Sequence, residues 1–120
     1  MACRVLVVED DLSVLYFVTE TLRDEGYDVV TAPDGQVGLA CVQEQPPDVV
    51  LLDYQLPTLD GPQFVVAYRR LHHAPIVLMT AAMRAQERCA EVQAEGCLPK
   101  PFDLDTLLAE VGRFAPLDTA

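Results

Sequence analysis

Five short apolar runs alternate with five stretches of helical spacing, and this alternation restricts the possible folds more than any other feature of the chain. Residues 4–8, 27–32, 49–52, 76–79 and 97–98 read as strands. Val49, Val50, Leu51 and Leu52 form an unbroken apolar run between turn formers, as expected of a strand covered on both faces in a parallel sheet. In the first helical stretch Leu12, Leu15, Val18, Thr19 and Leu22 share one face, and Gly26 ends it. The turn Pro33-Asp34-Gly35 opens a second, with Val37, Ala40 and Cys41 inward. Gln45-Pro46-Pro47 closes it, because proline cannot continue a helix. Pro62 suits the first turn of a third, where Phe64, Val65, Tyr68 and Leu71 form an apolar stripe before a solvated connection containing His72 and His73. Residues 83–95 read as a fourth helix of mixed charge. Asp103 reads as the N-cap of a fifth, with Leu104, Leu107, Leu108 and Val111 inward.

Strict strand–helix alternation implies a parallel sheet with helices on both faces, and right-handed crossovers leave few ways to connect it. The expected fold is α/β: a doubly wound, five-stranded parallel sheet in flavodoxin-like order 2-1-3-4-5. At 120 residues the chain is long enough for one core, expected over residues 4–114 with a frayed tail at 115–120.

Charge narrows the function. A formal net charge of −11 and a pI near 4.3 leave little to neutralise phosphates, so direct nucleic-acid binding by this chain is not expected. No apolar run approaches a membrane span, and the first residues lack a signal-peptide stretch, so a cytoplasmic protein is expected. The four cysteines, Cys3, Cys41, Cys89 and Cys97, show no C-x-x-C spacing and read as reduced, small core residues.

In the expected sheet, strands one, three, four and five end in Glu9-Asp10, Asp53, Thr80 and Lys100, all along one edge. Taken alone, Asp53 caps a loop as readily as it serves a site, and Asp10 could cap a helix. Together, three carboxylates repel and raise one another's pKa unless a cation compensates. A hard divalent ion such as Mg²⁺ takes carboxylate oxygens in this way. Lys100 adds a point charge suited to a phosphoryl oxygen, and Thr80 a neutral hydroxyl. The set fits a carboxylate nucleophile attacking phosphorus to give an aspartyl phosphate.

Four ordered motifs carry a resemblance: Val7-Val8-Glu9-Asp10-Asp11, then Leu51-Leu52-Asp53-x-x-Leu56-Pro57-x-x-Asp60-Gly61, then Met79-Thr80-Ala81, then Leu98-Pro99-Lys100-Pro101-Phe102. From Val5 to about Phe114 the chain resembles a receiver domain of two-component response regulators, similar to the chemotaxis-type single-domain regulators. The resemblance implies that Asp53 accepts a phosphoryl group from a phosphohistidine on a sensor histidine kinase or phosphotransfer protein. It implies Mg²⁺ (or Mn²⁺) on Asp10, Asp53 and the backbone carbonyl of Gln55, with Glu9 acting through a metal-bound water. It further implies phosphoryl contacts from Lys100 and Thr80, a cis peptide before Pro101, and output through a downstream protein effector. Asp11 reads as a cap or surface group, and Tyr68 and Phe102 as core.

The chain departs from the pattern at Cys97, where the family commonly has a switching aromatic, and at Gln93, where it often has glycine. Loss of the aromatic lever would leave signalling to Thr80 and loop movement. The competing readings are a small Mg²⁺-dependent aspartyl-nucleophile phosphatase, which would need an acid where Gln55 stands, and a receiver cut from a longer transcription regulator or hybrid kinase. The start at Met1 and the short tail favour a stand-alone or N-terminal receiver.

Overall fold

A computed structural model of the protein describes residues 3–117, so residues 118–120 of the expected tail lie outside the described residues. Strands β1 (Arg4–Val8), β2 (Asp28–Ala32), β3 (Val49–Asp53), β4 (Ile76–Ala81) and β5 (Gly96–Lys100) alternate with helices α1 (Leu12–Glu25), α2 (Gly35–Glu44), α3 (Gly61–Leu71), α4 (Ala85–Glu91) and α5 (Leu104–Phe114). The strands form one parallel sheet in the order β2-β1-β3-β4-β5, as the alternation predicts.

The pleat sorts the core into two layers, since successive strand residues face opposite sides. Val5, Val7, Leu51, Val77 and Met79 pack with Val18 and Leu22 of α1 and Leu107 and Val111 of α5. Leu6, Val8, Leu52, Ile76 and Leu78 pack with Val42 of α2, Phe64 and Tyr68 of α3, and Cys89 of α4. All five residues of β3 are buried, which explains its uninterrupted apolar run.

Aspartates start four of the helices. Asp11 accepts from the amides of Ser13 and Val14, Asp34 from Val37 and Asp103 from Thr106, while Asp60 and Gln63 form a reciprocal capping box. Four of the nineteen acidic residues therefore satisfy helix N-termini. Asp11, expected to be a cap or surface group, is a cap; Asp34 was read only as a turn residue, and Asp60 only as part of a motif.

Several expectations need correction. In α2, Val37 and Ala40 are exposed and Cys41 only half-buried, while Gly35, Gly38 and Val42 face inward. A Cβ on Gly38 would lie 3.0 Å from both Phe64 and Val8, so the helix packs through its glycine edge, which apolar spacing does not register. Leu12, Leu71 and Leu104 are exposed. Each is a terminal residue of its helix, where periodicity cannot tell whether core still lies beneath. His72 is half-buried rather than solvated, with its Nε2 2.9 Å from the Pro47 carbonyl oxygen. Ala115 is buried and its carbonyl accepts from the Tyr27 hydroxyl at 2.8 Å, so the chain just past α5 is packed rather than frayed.

The largest departure is between β4 and β5. Where residues 83–95 read as one helix, a 3₁₀ turn at Ala82–Arg84 leads into an α4 of only seven residues. The Gln93 amide donates to the Ala90 carbonyl and the Ala94 amide to the Cys89 carbonyl, with Gln93 at φ 57°. These are the bonds of a Schellman stop. The same bonds end α1 at Gly26, φ 109°, where glycine announces them. Beyond the stop, β5 runs longer than expected, from Gly96 to Lys100. Cys89 and Cys97, read as reduced core residues, are instead joined in a disulfide, with Cα atoms 6.1 Å apart. Eight residues of separation hid the pairing, because the turn between helix and strand brings the two together. Cys3 and Cys41 are free and half-buried.

Candidate functional site

At the carboxyl edge of the sheet β1, β3, β4 and β5 end around one cavity of about 770 Å³, lined by Glu9, Asp10, Asp53, Gln55, Thr80 and Lys100 among others. Glu9 follows the last residue of β1 and is fully buried; Asp53 closes β3 and Thr80 lies in β4, both buried. Asp10 is exposed at the mouth. Carboxylate oxygens of Glu9, Asp10 and Asp53 all lie within 4.8 Å of one another.

Lys100, the last residue of β5, reaches back into this cluster. Its Nζ donates to Glu9 Oε2 at 3.0 Å and to Asp53 Oδ1 at 3.2 Å. Glu9 also accepts from the amide of Asp11, the N-cap of α1, at 3.2 Å. Burial pushes the Glu9 carboxyl up to about 7; the hydrogen bond from Lys100 opposes this and the Asp53 charge adds to it. Asp53 is raised too, again by burial, against the pull of Lys100. Burial works against the Lys100 charge, but the hydrogen bond to Glu9 and the nearby carboxylates outweigh it and hold its pKa above the ordinary value. One ammonium thus faces three carboxylates, leaving the site short of positive charge. Oxygen donors in that state suit a hard divalent cation.

The backbone around Asp53 is set by close contacts. The Gly61 amide donates to the Tyr54 carbonyl at 2.9 Å, and a Cβ on Gly61 would sit 2.8 Å from that oxygen. Only glycine lets α3 begin directly against the backbone at the end of β3, where Asp53 lies. Within the loop Thr58 stands at φ 66°, bridged by a Leu59-to-Pro57 hydrogen bond of 2.7 Å, a γ-turn. The Lys100–Pro101 peptide is cis, as the resemblance implies.

The expected set therefore converges: Glu9, Asp10, Asp53 and Lys100 as a charged cluster, with Gln55, Thr80 and Pro101 on the same cavity. Cys97 does not line it. Three residues were missed. Arg88 of α4 donates to Thr80 Oγ1 at 3.0 Å and lies over the Tyr54 ring, 4.5 Å from its centroid. The Tyr54 hydroxyl in turn bonds both carboxylate oxygens of Glu91, at 3.0 and 3.1 Å. In the sequence these are an arginine and a glutamate of a mixed-charge helix and a residue beside Asp53, and no spacing rule links them.

A family model described as the response regulator receiver domain matches residues 5–112. The transcriptional regulatory protein PrrA of Mycobacterium tuberculosis is 40% identical over 111 residues, covering 90% of this chain and 48% of the relative; PrrA of Mycobacterium leprae matches to the same extent. The chain thus spans about half the length of the curated relatives it matches. Among solved structures, the chemotaxis response regulator CheY4 of Vibrio cholerae superposes with TM-score 0.86 at 36% identity, covering 95% of this chain and 99% of that one. NtrX from Brucella abortus superposes at 0.88 with 30% identity, over 97% of this chain and 27% of its own. With its sheet order, its strand-end cluster and a match over residues 5–112, the chain belongs to the response regulator receiver domain family.

Proposed function

We propose that Asp53 is the phosphoacceptor of this receiver and that the phosphoryl group comes from a phosphohistidine of a sensor kinase or phosphotransfer protein. The observation that carries the reading is Lys100 bridging Glu9 and Asp53 within a cluster of three carboxylates. An Asp53 oxygen attacks phosphorus, the phosphorus–nitrogen bond of the donor breaks, and the imidazole leaves with the bonding electrons and takes up a proton. Lys100 sits where it can move its hydrogen bond from the Asp53 carboxylate to a phosphoryl oxygen, so charge is neutralised without a separate base. Thr80, near the same edge, would turn its hydroxyl from Arg88 to another phosphoryl oxygen.

The donor set fits Mg²⁺, with Asp10, Asp53 and the Gln55 carbonyl as ligands and Glu9 acting through water. When bound, the ion supplies neutralisation of the charge that develops on the transferring group. The reading makes the chain a phosphoacceptor that assists its own modification rather than a turnover enzyme, signalling through protein contacts. Control of transcription, which the name of the PrrA relatives gives for them, is the output that a receiver belonging to a longer regulator would serve.

Phosphotransfer from candidate kinases tests the reading. Wild type should take up label in an Mg²⁺-dependent way, and Asp53→Asn should take up none; label retained by the mutant would show that phosphorylation occurs elsewhere.

A further inference from the structure

We propose that Cys89 and Cys97 form a thiol–disulfide modification site that gates the response of this receiver, with oxidation holding Arg88 on Thr80. The inference rests on the reading of Asp53 as the phosphoacceptor. Its basis is where the crosslink falls. Cys89 lies in α4, Cys97 in β5, and the disulfide ties the helix to the strand. Cys89 is buried and Cys97 half-buried, so Cys97 is the more exposed residue of the pair.

The helix so tethered has little of its own to hold it. It spans seven residues and starts at Arg84 with no side-chain cap, well short of the length at which a helix persists by itself. Its place depends on the packing of Ala85, Cys89 and Val92, on the Tyr54 contacts to Arg88 and Glu91, and on the disulfide. Arg88 immediately precedes Cys89 and donates to the Thr80 hydroxyl. Thr80 lies on β4, and Cys97 pairs in register with Leu78 of the same strand. The disulfide therefore fixes the backbone beside Arg88 to the strand next to Thr80. Turning Thr80 toward a phosphoryl group shifts the oxygen that Arg88 binds, and Arg88 follows by its own torsions and by movement of α4. Reduction frees that motion; oxidation restrains it.

The chemistry is thiol–disulfide exchange with a small-molecule disulfide. The Cys97 thiolate attacks one sulfur of the reagent and expels a thiolate, forming a mixed disulfide. Cys89 then attacks the Cys97 sulfur and expels the second. Two protein thiols are oxidised to one disulfide, one reagent disulfide is reduced to two thiols, and the two protein protons pass to the released thiolates.

The test uses the protein treated with glutathione disulfide or with dithiothreitol. Peptide mass reads the crosslink, and amide NMR titration with Mg²⁺ and beryllofluoride reads the response. Oxidised wild type should show a loss of two hydrogens mapped to the Cys89 and Cys97 peptides. Its half-saturation concentration should be at least about fivefold higher than that of the reduced form. Cys97→Ser should respond alike under both treatments; Cys89→Ala provides the same control if that variant does not fold. Equal affinity in the two states, or a glutathione adduct in place of the crosslink, overturns the gate and leaves the phosphoacceptor intact. No binding in either state overturns the phosphoacceptor reading and the gate with it.

Discussion

Glu9 carries the sharpest electrostatic consequence of this site, because it is a fully buried carboxyl whose pKa stands at about 7. The fold favours its protonated form. That contribution to stability is fully present below the unfolded pKa, about 4.5, and is lost as pH rises through about 7. Metal-free protein should therefore lose about 1–3 kcal/mol across that window, seen as a falling melting temperature in EDTA. Glu9→Gln should flatten the slope and raise the melting temperature at neutral pH. An unchanged slope in that variant would remove Glu9 as its source. Glu9 and Lys100 were both legible as strand-end residues of matching motifs, but their hydrogen bond was not. It joins residues 91 positions apart and exists only once β1 and β5 are in one sheet.

Among the elements, two junctions hold the site in place by backbone geometry. Gly61 packs against the carbonyl of Tyr54, next to Asp53, with no room for a methyl group. Gly61→Ala should displace the Asp53 loop and slow phosphoryl uptake while leaving far-ultraviolet circular dichroism close to wild type. Normal uptake would mean that the loop tolerates the shift. At the other junction Gln93 adopts the left-handed conformation that ends α4, at a cost that glycine would avoid. Gln93→Gly should raise stability by about 0.5–1 kcal/mol in urea titrations. The ends of α1 and α4 show why one helix boundary was readable and the other was not. Both close with the same hydrogen bonds, but Gly26 marks the first, and nothing in the type of residue 93 marks the second. The inward face of α2 was misplaced for a related reason. Gly38 packs closely yet contributes nothing to an apolar count.

At the scale of the whole molecule, the site exists only where four strands meet. A ligand bound to Glu9, Asp10 and Asp53 bridges the ends of β1 and β3, and is lost when the sheet unfolds. Mg²⁺ should therefore raise the melting temperature in proportion to the logarithm of its concentration above the dissociation constant. The shift should disappear in Asp10→Ala, and a shift that survives would place the ion elsewhere.

Sequence by itself determined the strand–helix alternation, the strand-end positions of Glu9, Asp10, Asp53, Thr80 and Lys100, and the helix start at Asp103, and it narrowed the strand order to a few topologies that included the observed one. Each rests on local patterns or on a connection rule: apolar periodicity, residue type at a helix start, and the handedness of parallel crossovers. Tertiary structure alone decided the length of α4, the glycine face of α2, the grip of Arg88 on Thr80, and the Cys89–Cys97 pair. Those features depend on which side chains a turn or a packed interface brings together. Short-range patterns carry no record of that meeting.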